Sequence, residues 1–278
     1  MDRYAVVGNP IAHSKSPVIH AEFARQTGQT LHYTAEWSAL DGFAQTLDRL
    51  RQAGFAGVNV TVPFKLEALA YADTCLPRAQ AAGASNCLRF GAEVCEAENF
   101  DGVGLVRDIE VNLQRPLRGQ QVLVLGAGGA TRGALQPLLA AGASRVWVAN
   151  RSADKAHSLL AEMTAYLPDE LSQPLCASGF DGIEAAPFDV IINATSASLQ
   201  AQALPLSGAV FDRHSLAYDM MYGQGLTPFL KQAQAAGVTH LADGVGMLVE
   251  QAAEAFAWWR GVRPATTEVI ESIRIPLR

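Results

Sequence analysis

Short apolar runs alternate along the chain with longer segments in which apolar residues recur at helical spacing. Four such pairs are residues 4–7 and 18–27, 57–61 and 65–71, 121–125 and 130–141, and 145–149 and 153–166. Because each apolar run is followed by a helical segment, the pattern predicts parallel sheets covered by helices, which is an α/β fold. A last apolar segment, residues 247–260, has helical spacing and should end at Gly261.

A change of pattern near Asp101 and Gly102 predicts a boundary between two domains. Residues 89–104 are rich in turn formers, an amphipathic segment covers residues 105–112, and the most apolar strand follows at residues 121–125. We therefore expect an N-terminal α/β domain over residues 1–101. A doubly wound Rossmann-type domain should follow over residues 102–239.

Composition and charge narrow the class of partner. The chain has 278 residues, of which 49% are hydrophobic and 17% charged, and its formal net charge is -6. These values predict packed domains and argue against nucleic acid or an anionic membrane surface as the partner, so a small molecule fits better. The N-terminus resembles a short strand, and no apolar segment reaches membrane-spanning length, which predicts a protein of the cytosol.

Cysteine and histidine give no metal or disulfide signal. The four cysteines form no CxxC pair and the six histidines form no HxxxH or His/Cys cluster. We expect reduced thiols and no metal site.

A glycine-rich turn joins the strand at residues 121–125 to the following helix. Gly126 permits a tight turn, while Gly128 and Gly129 would let a pyrophosphate approach free N–H groups at the helix start. Thr131 stands where the usual GxGxxG spacing has its third glycine, so the fingerprint is a variant. A turn that only packs the helix on the strand remains the alternative.

The next strand ends at Asn150, Arg151 and Ser152, and this position bears on cofactor choice. NAD sites usually carry an acidic residue there for the ribose 2′-hydroxyl, whereas an arginine suits the 2′-phosphate of NADP. Arg151 therefore predicts NADP(H), and Lys155 could reach the same phosphate. Solvated surface charges are the alternative for both residues.

A further buried strand, residues 188–192, leads into the polar tetrapeptide Asn193-Ala194-Thr195-Ser196. Because ligands of doubly wound sheets sit at the carboxyl ends of strands, this tetrapeptide should border the nicotinamide. An ordinary polar turn is the alternative.

Four further motifs stand in the N-terminal region: GNPIAHSKSP at residues 8–17, GVNVTVPFK at 57–65, GASN at 83–86 and NFDGVG at 99–104. Behind them, in order, come GAGGATRG, NRS, INATS, DMMY and DGVGMLVEQA. A single motif of this kind is weak evidence, but the ordered set closely resembles the shikimate dehydrogenase family from residue 8 to about residue 259.

The resemblance implies a function and a set of site residues. Hydride would pass from NADPH to the 3-carbonyl of a 3-dehydroshikimate-like ring acid, reversibly, in a monomer or homodimer. Lys65 would stabilise or protonate the alkoxide, and Asp101 would orient both Lys65 and a ring hydroxyl. The implied substrate ligands are Ser14, Ser16, Asn59, Thr61, Asn86, Tyr222 and Gln251. The cofactor candidates are Gly126, Ala127, Gly128, Gly129, Ala130, Asn150, Arg151, Ser152, Lys155, Asn193, Thr195, Ser196, Met220 and Gly244.

The position of Gln251 suggests how the chain returns. Because this implied substrate ligand lies on the C-terminal apolar helix, we expect residues 240–278 to pack back on the N-terminal domain. The cleft between the two domains would then open and close about Gly102 and Gly104, and a rigid cleft with only side-chain adjustment is the alternative.

The composition of the chain and the chemistry of an amine support a catalytic role for Lys65, independently of the resemblance. The chain has only four lysines against seventeen arginines, and an amine, unlike a guanidinium, can exchange a proton near neutral pH in a tuned environment. A plain surface ion pair with Asp101 is the alternative.

Three residues depart from the family pattern. Cys87 and Phe100 stand where most relatives carry threonine, and Ser198 stands where the Asn-Ala-Thr-Ser segment is usually followed closely by glycine. Phe100 would either add an apolar wall to the pocket and alter specificity or turn into the core. The sequence thus leaves open shikimate dehydrogenase, a paralogue acting on quinate, an amino analogue or another ring acid, and a non-catalytic NADP and ring-acid sensor. Retention of Lys65 and Asp101 argues against the sensor.

Overall fold

The computed structural model describes residues 1–167, 175–195, 203–223 and 225–277. Within it the chain divides into two compact units. The first contains Met1–Gly104 and Leu248–Ser272, and the second contains Leu105–Met247 and Ile273–Arg278.

The first unit is built on a six-stranded sheet of order β2-β1-β3-β5-β6-β4. Its elements up to the first boundary are β1 Asp2–Gly8, α1 Ser16–Thr27, β2 Leu31–Trp37, α2 Phe43–Gln52, β3 Phe55–Val60, α3 Lys65–Tyr71, β4 Thr74–Cys75, α4 Pro77–Ala82, β5 Cys87–Phe90, β6 Cys95–Glu98 and α5 Asp101–Arg107. The expectation of a purely parallel sheet is wrong here, because β5 pairs antiparallel with both β3 and β6.

The sheet is mixed because β5 and β6 form an antiparallel hairpin, which the sequence pattern did not reveal. Strand β6 and the second half of β5 fall inside the turn-rich stretch of residues 89–104, and the two strands are joined by a tight connection at Gly91, whose N–H donates to the carbonyl of Val94 at 2.9 Å. Each strand has only four residues, too few for periodicity to show.

The second unit contains a six-stranded sheet of order β12-β11-β10-β7-β8-β9, in which every pair is parallel. Its elements and the C-terminal helices are β7 Gln121–Leu125, α6 Gly129–Ala140, β8 Arg145–Asn150, α7 Ala153–Thr164, β9 Leu175–Gly179, β10 Val190–Asn193, β11 Leu216–Asp219, α8 Pro228–Ala235, β12 His240–Asp243, α9 Val245–Arg260 and α10 Thr267–Ile273. The strand order reverses between β8 and β10 on either side of β7, which confirms the Rossmann-type sheet.

Each unit has its own apolar core. In the first, Val7 and Val58 of the sheet pack with Phe43, Leu47 and Phe64, and the rings of Phe43 and Phe64 stack at 4.7 Å. In the second, the buried face of β7 and β10 packs against α8 through a cluster that includes Leu123, Leu125, Ile191, Phe229 and Leu230. Burial of these side chains is the main stabilising contribution to each unit.

Helix α5 continues beyond Arg107 into a π-helical turn, Asp108–Asn112. The buried carboxylate of Asp108 accepts a 2.7 Å hydrogen bond from the hydroxyl of Tyr218. A side chain at Gly246, near the start of α9, would overlap this carboxylate. Position 246 must therefore be glycine for the start of α9 to lie this close to the Asp108 carboxylate.

Helix α9 ends at Arg260 and is followed by Gly261, whose φ of 71° is left-handed, so the glycine stop is where the sequence predicted it. Among the described residues, no helix has both the length and the apolar character needed to cross a membrane.

Candidate active site

Lys65 and Asp101 are each the first residue of a helix in the first unit. Lys65 begins α3 after the loop that follows β3, and Asp101 begins α5. Lys65 Nζ donates a 2.6 Å hydrogen bond to Asp101 Oδ2, and the two side chains are 32% and 16% exposed. An ion pair this accessible adds little to stability, so both groups can exchange partners with a ligand.

Asn86 links this pair to helix α9. Its Nδ2 donates to Asp101 Oδ1 at 2.8 Å and to Gln251 Oε1 at 3.1 Å, and its Oδ1 accepts from the N–H of Phe100 at 2.9 Å. An amide nitrogen has two hydrogens, so both donors of Asn86 are engaged. Gln251 Nε2 donates to the carbonyl of Leu248 at 2.7 Å and keeps one N–H in reserve.

Asn59, on β3, connects Asn86 with the interior of the first unit. Its Nδ2 donates to the carbonyl of Asn86 at 3.3 Å, and its Oδ1 accepts from the hydroxyl of Tyr33 at 2.7 Å. Burial raises the pKa of Tyr33 well above its usual value, with a smaller lowering by a hydrogen bond from the Ser16 hydroxyl. Ser16 also donates from its backbone N–H to Ser14 Oγ at 3.3 Å.

Five of the implied site residues therefore form one hydrogen-bonded set, namely Asn59, Asn86, Gln251, Asp101 and Lys65, while Ser14 and Ser16 are bonded to each other. Thr61 is half-buried after β3, and its methyl would lie 2.5 Å from a Cβ placed at Gly8, so the loop after β1 packs directly on it. Tyr222 belongs to the second unit, where it follows β11 with 42% of its surface exposed. The ligand roles of these residues remain predictions.

Two residues beside this set were not predicted. Tyr33 lies on β2, and His20 on α1 is fully buried with its ring stacked on Tyr33 at 4.1 Å and an interplanar angle of 7°. Burial lowers the pKa of His20 to about 3, against a smaller opposing effect of the Asn59 side chain. The alternation of residues 31–37 would have turned Tyr33 inward, but nothing in the sequence pairs it with Asn59.

Phe100 and Cys87 pack in the core of the first unit. They are 2% and 0% exposed and form one cluster with Ala255, in which the Phe100 ring meets that of Trp258 edge to face at 5.8 Å. Burial also raises the pKa of the Cys87 thiol, which keeps it protonated. Of the two alternatives for Phe100, the structure bears out the core position. Ser198 lies outside the described residues.

The glycine turn of the second unit has an open and a closed part. A Cβ placed at Gly128 or Gly129 meets no atom within 4 Å, so a ligand can approach the backbone at the start of α6. Gly126, with φ of 107°, packs on the chain after β10, where its Cβ would lie 3.0 Å from Thr195 Cγ2. Thr131 is buried and its hydroxyl donates to the carbonyl of Gly126 at 2.8 Å, which accounts for a threonine at the position of the third glycine. Ala127 is half-buried and Ala130 exposed in the same turn.

The end of β8 lies beside this turn, because the N–H of Gly126 donates to the carbonyl of Ala149 at 2.7 Å. Asn150 Nδ2 donates to the carbonyl of Ser152 at 3.0 Å. Arg151 and Lys155 are exposed, and neither side chain has a hydrogen bond or ion pair with another residue of the described part of the chain. Both cations are therefore available to an anionic ligand.

The remaining cofactor candidates follow β10, β11 and β12 at their carboxyl ends. Asn193 Oδ1 accepts from the N–H and the hydroxyl of Thr195 at 3.0 and 2.7 Å. A Cβ at Gly244 would lie 2.2 Å from the carbonyl oxygen of Met220, so only glycine fits there. Ser196 is outside the described residues. The described candidates thus share the carboxyl edge of the second sheet, where doubly wound folds bind nucleotides.

No group of three or more histidine, cysteine or acidic residues among those described could hold a metal ion.

Three family models match the chain. They are the shikimate dehydrogenase substrate binding domain over residues 6–88, the shikimate / quinate 5-dehydrogenase over residues 109–202, and the shikimate 5'-dehydrogenase C-terminal domain over residues 244–274.

Curated and solved relatives cover the whole chain. A shikimate dehydrogenase (NADP(+)) of Aromatoleum aromaticum is 57% identical over 99% of this chain and 97% of its own length. A crystal structure of an Ael1 enzyme from Pseudomonas putida is 51% identical, with a TM-score of 0.94 and full coverage of both chains. The shikimate 5-dehydrogenase of Thermus thermophilus, solved with NADP(H) and shikimate, is 34% identical, with a TM-score of 0.85 over 98% of each chain.

Proposed function

The chain belongs to the shikimate dehydrogenase family, and from that membership we propose that it reduces 3-dehydroshikimate to shikimate, reversibly, with NADPH. The observation that carries the proposal is the 2.6 Å pair of Lys65 and Asp101, tied through Asn86 to Gln251. A proton-exchanging amine held by a carboxylate, in a set of polar side chains, suits the reduction of a ring ketone.

The free hydrogen-bonding capacity of the first unit fits an oxygen-rich acid. Lys65 has two N–H donors beyond the one given to Asp101, and Gln251 and Asn59 each have one. The hydroxyls of Ser14 and Ser16 add donors that bind a carboxylate without a further fixed charge. A ligand with a carboxylate, a carbonyl and hydroxyl oxygens can accept from each of them.

The proposed chemistry divides between the two units. When bound, NADPH supplies the hydride from C4 of its nicotinamide. Lys65 Nζ lies by the substrate carbonyl oxygen, stabilises the negative charge that forms on it, and delivers a proton. Asp101 accepts a hydrogen bond from Lys65 and orients it, and its second oxygen, held by Asn86, faces a ring hydroxyl.

The residues of the second unit fit NADP(H) better than NAD(H). The end of β8 carries Asn150 and Arg151 where an NAD site has an acid. Arg151 and Lys155, whose side chains pair with no residue of the described ranges, would hold the 2′-phosphate, while the N–H groups around Gly128 and Gly129 would hold the pyrophosphate.

A panel assay tests this proposal against its alternatives. NADPH consumption is followed by absorbance with 3-dehydroshikimate, dehydroquinate and their amino analogues, and the reverse reaction with shikimate and quinate. We expect kcat/KM for 3-dehydroshikimate to exceed that for the other ring acids by at least about tenfold, since one mismatched polar group in a binding site costs about this much. Preference for another ring acid would establish the paralogue, and binding of NADPH without turnover would establish the sensor.

A further inference from the structure

Tyr33 is a buried residue that the proposed reaction does not use. Its hydroxyl meets Asn59 Oδ1 at 2.7 Å, and its ring is covered by the parallel ring of His20 at 4.1 Å. Because burial raises the pKa of Tyr33, its hydroxyl keeps its proton throughout the range in which an enzyme is assayed. It is therefore always able to donate to Asn59.

The partners of Asn59 decide which way its amide points. On one side stands the Tyr33 hydroxyl, which can donate or accept, and on the other the backbone carbonyl of Asn86, which can only accept. Reversing the amide would set Asn59 Oδ1 against that carbonyl oxygen at about the same separation and lose the bond. One orientation alone satisfies both neighbours.

This orientation fixes the hydrogen that Asn59 has left. Nδ2 donates one N–H to the Asn86 carbonyl, so the second N–H is its remaining donor. Oδ1 accepts from the Tyr33 hydroxyl. Without the Tyr33 hydroxyl, Oδ1 would lose its 2.7 Å donor in a residue that is only 5% exposed. Such an acceptor favours rotation of the amide.

We propose that Tyr33 is a positioning residue for substrate binding: its hydroxyl holds the Asn59 amide so that the second Nδ2–H points to an oxygen of the ring acid. The inference rests on the proposed function for the identity of that ligand. It assigns Tyr33 to ground-state recognition, whereas Lys65 acts on the reacting carbonyl. Removal of its hydroxyl should therefore raise KM and leave kcat nearly unchanged.

The test compares Tyr33→Phe with Tyr71→Phe. Tyr71, in the same unit, donates from its hydroxyl to Asp48 Oδ1 at 2.7 Å and accepts from Arg51 Nη1 at 3.5 Å, so the control also loses the hydrogen bonds of a tyrosine hydroxyl. We expect the dissociation constant of shikimate, measured by calorimetry, to rise about three- to tenfold in Tyr33→Phe, the range of one hydrogen bond. In Tyr71→Phe it should stay within about twofold of the wild type. Thermal melting verifies that each variant is folded.

The Tyr33→Phe substitution in two further backgrounds tests whether its effect on substrate binding acts through Asn59. In Asn59→Ala, Tyr33→Phe should have less than about a twofold effect, because the amide it positions is gone. In Ser16→Ala the full effect should persist. Equal effects of Tyr33→Phe in the wild-type and Asn59→Ala backgrounds would overturn the inference, as would an effect lost only with Ser16→Ala.

A readout without substrate separates this inference from the proposed function. The side-chain amide NMR signals of Asn59, identified by their absence from Asn59→Ala, should shift and exchange faster with solvent in Tyr33→Phe but not in Tyr71→Phe. If they do so while the wild type binds no shikimate, the proposed function fails and the positioning of Asn59 stands. Unchanged Asn59 signals in Tyr33→Phe would refute the positioning role whatever the substrate.

Discussion

The two units present their candidate residues in opposite ways. In the first, Lys65, Asp101, Asn86, Gln251 and Asn59 are bound to one another, so each side chain is held in place before a ligand arrives. In the second, the corresponding surface is an open backbone turn flanked by cations that no described residue pairs with.

This difference has a consequence for function. A connected set fixes geometry, on which a chemical step depends steeply, and a change in one member disturbs the others. Unpaired surface cations contribute attraction with little structural coupling, so their effects should be confined to cofactor affinity and should nearly add. Four predictions, ordered by expected effect, test this contrast.

Lys65→Ala removes the amine from the connected set of the first unit. We expect kcat to fall by roughly a hundredfold or more, with a smaller change in KM, because a positioned acid or base is lost. Steady-state kinetics measure both constants. Lys231→Ala, which removes a lysine of α8, is the matched control and should leave kcat unchanged. Near-normal turnover of Lys65→Ala would contradict the role of Lys65.

The buried His20 should make the stability of the first unit depend on pH. Its pKa is about 3 in the folded chain and about 6.5 in the unfolded one, so the unfolded state binds more protons below pH 6.5. Stability from the neutral His20 is thus present above pH 6.5 and is lost as pH falls toward 3. At pH 5 the loss should be about 2 kcal/mol.

The measurement is the free energy of unfolding by denaturant at pH 7 and pH 5. In His20→Phe, the loss between these values should be smaller than in the wild type by most of that amount, whatever the variant's stability at pH 7. His32→Gln, an exposed histidine of β2, should keep the wild-type dependence. If His20→Phe loses as much unfolding free energy between pH 7 and pH 5 as the wild type, His20 is not the source of the pH dependence.

Arg151→Asp reverses the charge at the end of β8 in the second unit. KM for NADPH should rise at least about tenfold, because a charge-assisted bond to the 2′-phosphate is lost and repulsion is added. KM for NADH should stay similar or improve, and the melting temperature should hardly move. Arg213→Asp, at an exposed site before β11, controls for the change in net charge. A wild type that uses both cofactors equally would sink this prediction.

Lys155→Ala should have the smallest effect, a rise of about threefold or less in KM for NADPH, the range of an exposed ion pair. Combined with Arg151→Ala, it should act nearly additively. Strong coupling between the two residues would break the contrast drawn between the units.

The sequence predicted the second unit better than the first. A glycine turn between a strand and a helix, and a charge at the end of the next strand, are local signals that predict a Rossmann-type sheet and the edge at which its candidate residues lie. In the first unit, the hairpin of β5 and β6 was missed because each strand is only four residues long.

The connections within the candidate site had no local signal either. The motifs brought out Lys65, Asp101, Asn86 and Gln251, yet the bond between Asn86 and Gln251 joins residues 165 positions apart. The burial of Phe100 with Cys87 likewise depends on Trp258, which periodicity cannot place beside them. Tyr33 was missed for the same reason: its partner Asn59 lies on another strand.

Transfer of an isotope from NADPH to the product reports whether hydride passes from C4 of the nicotinamide to the ring carbonyl. NADPH carrying deuterium at C4, in the position that is transferred, is mixed with 3-dehydroshikimate and the wild-type protein, and the product is examined by mass spectrometry and NMR. We expect shikimate with one deuterium bound at C3, formed at a rate that Lys65→Ala lowers. Product without deuterium, or no conversion while NADPH binds, would contradict the proposed hydride transfer.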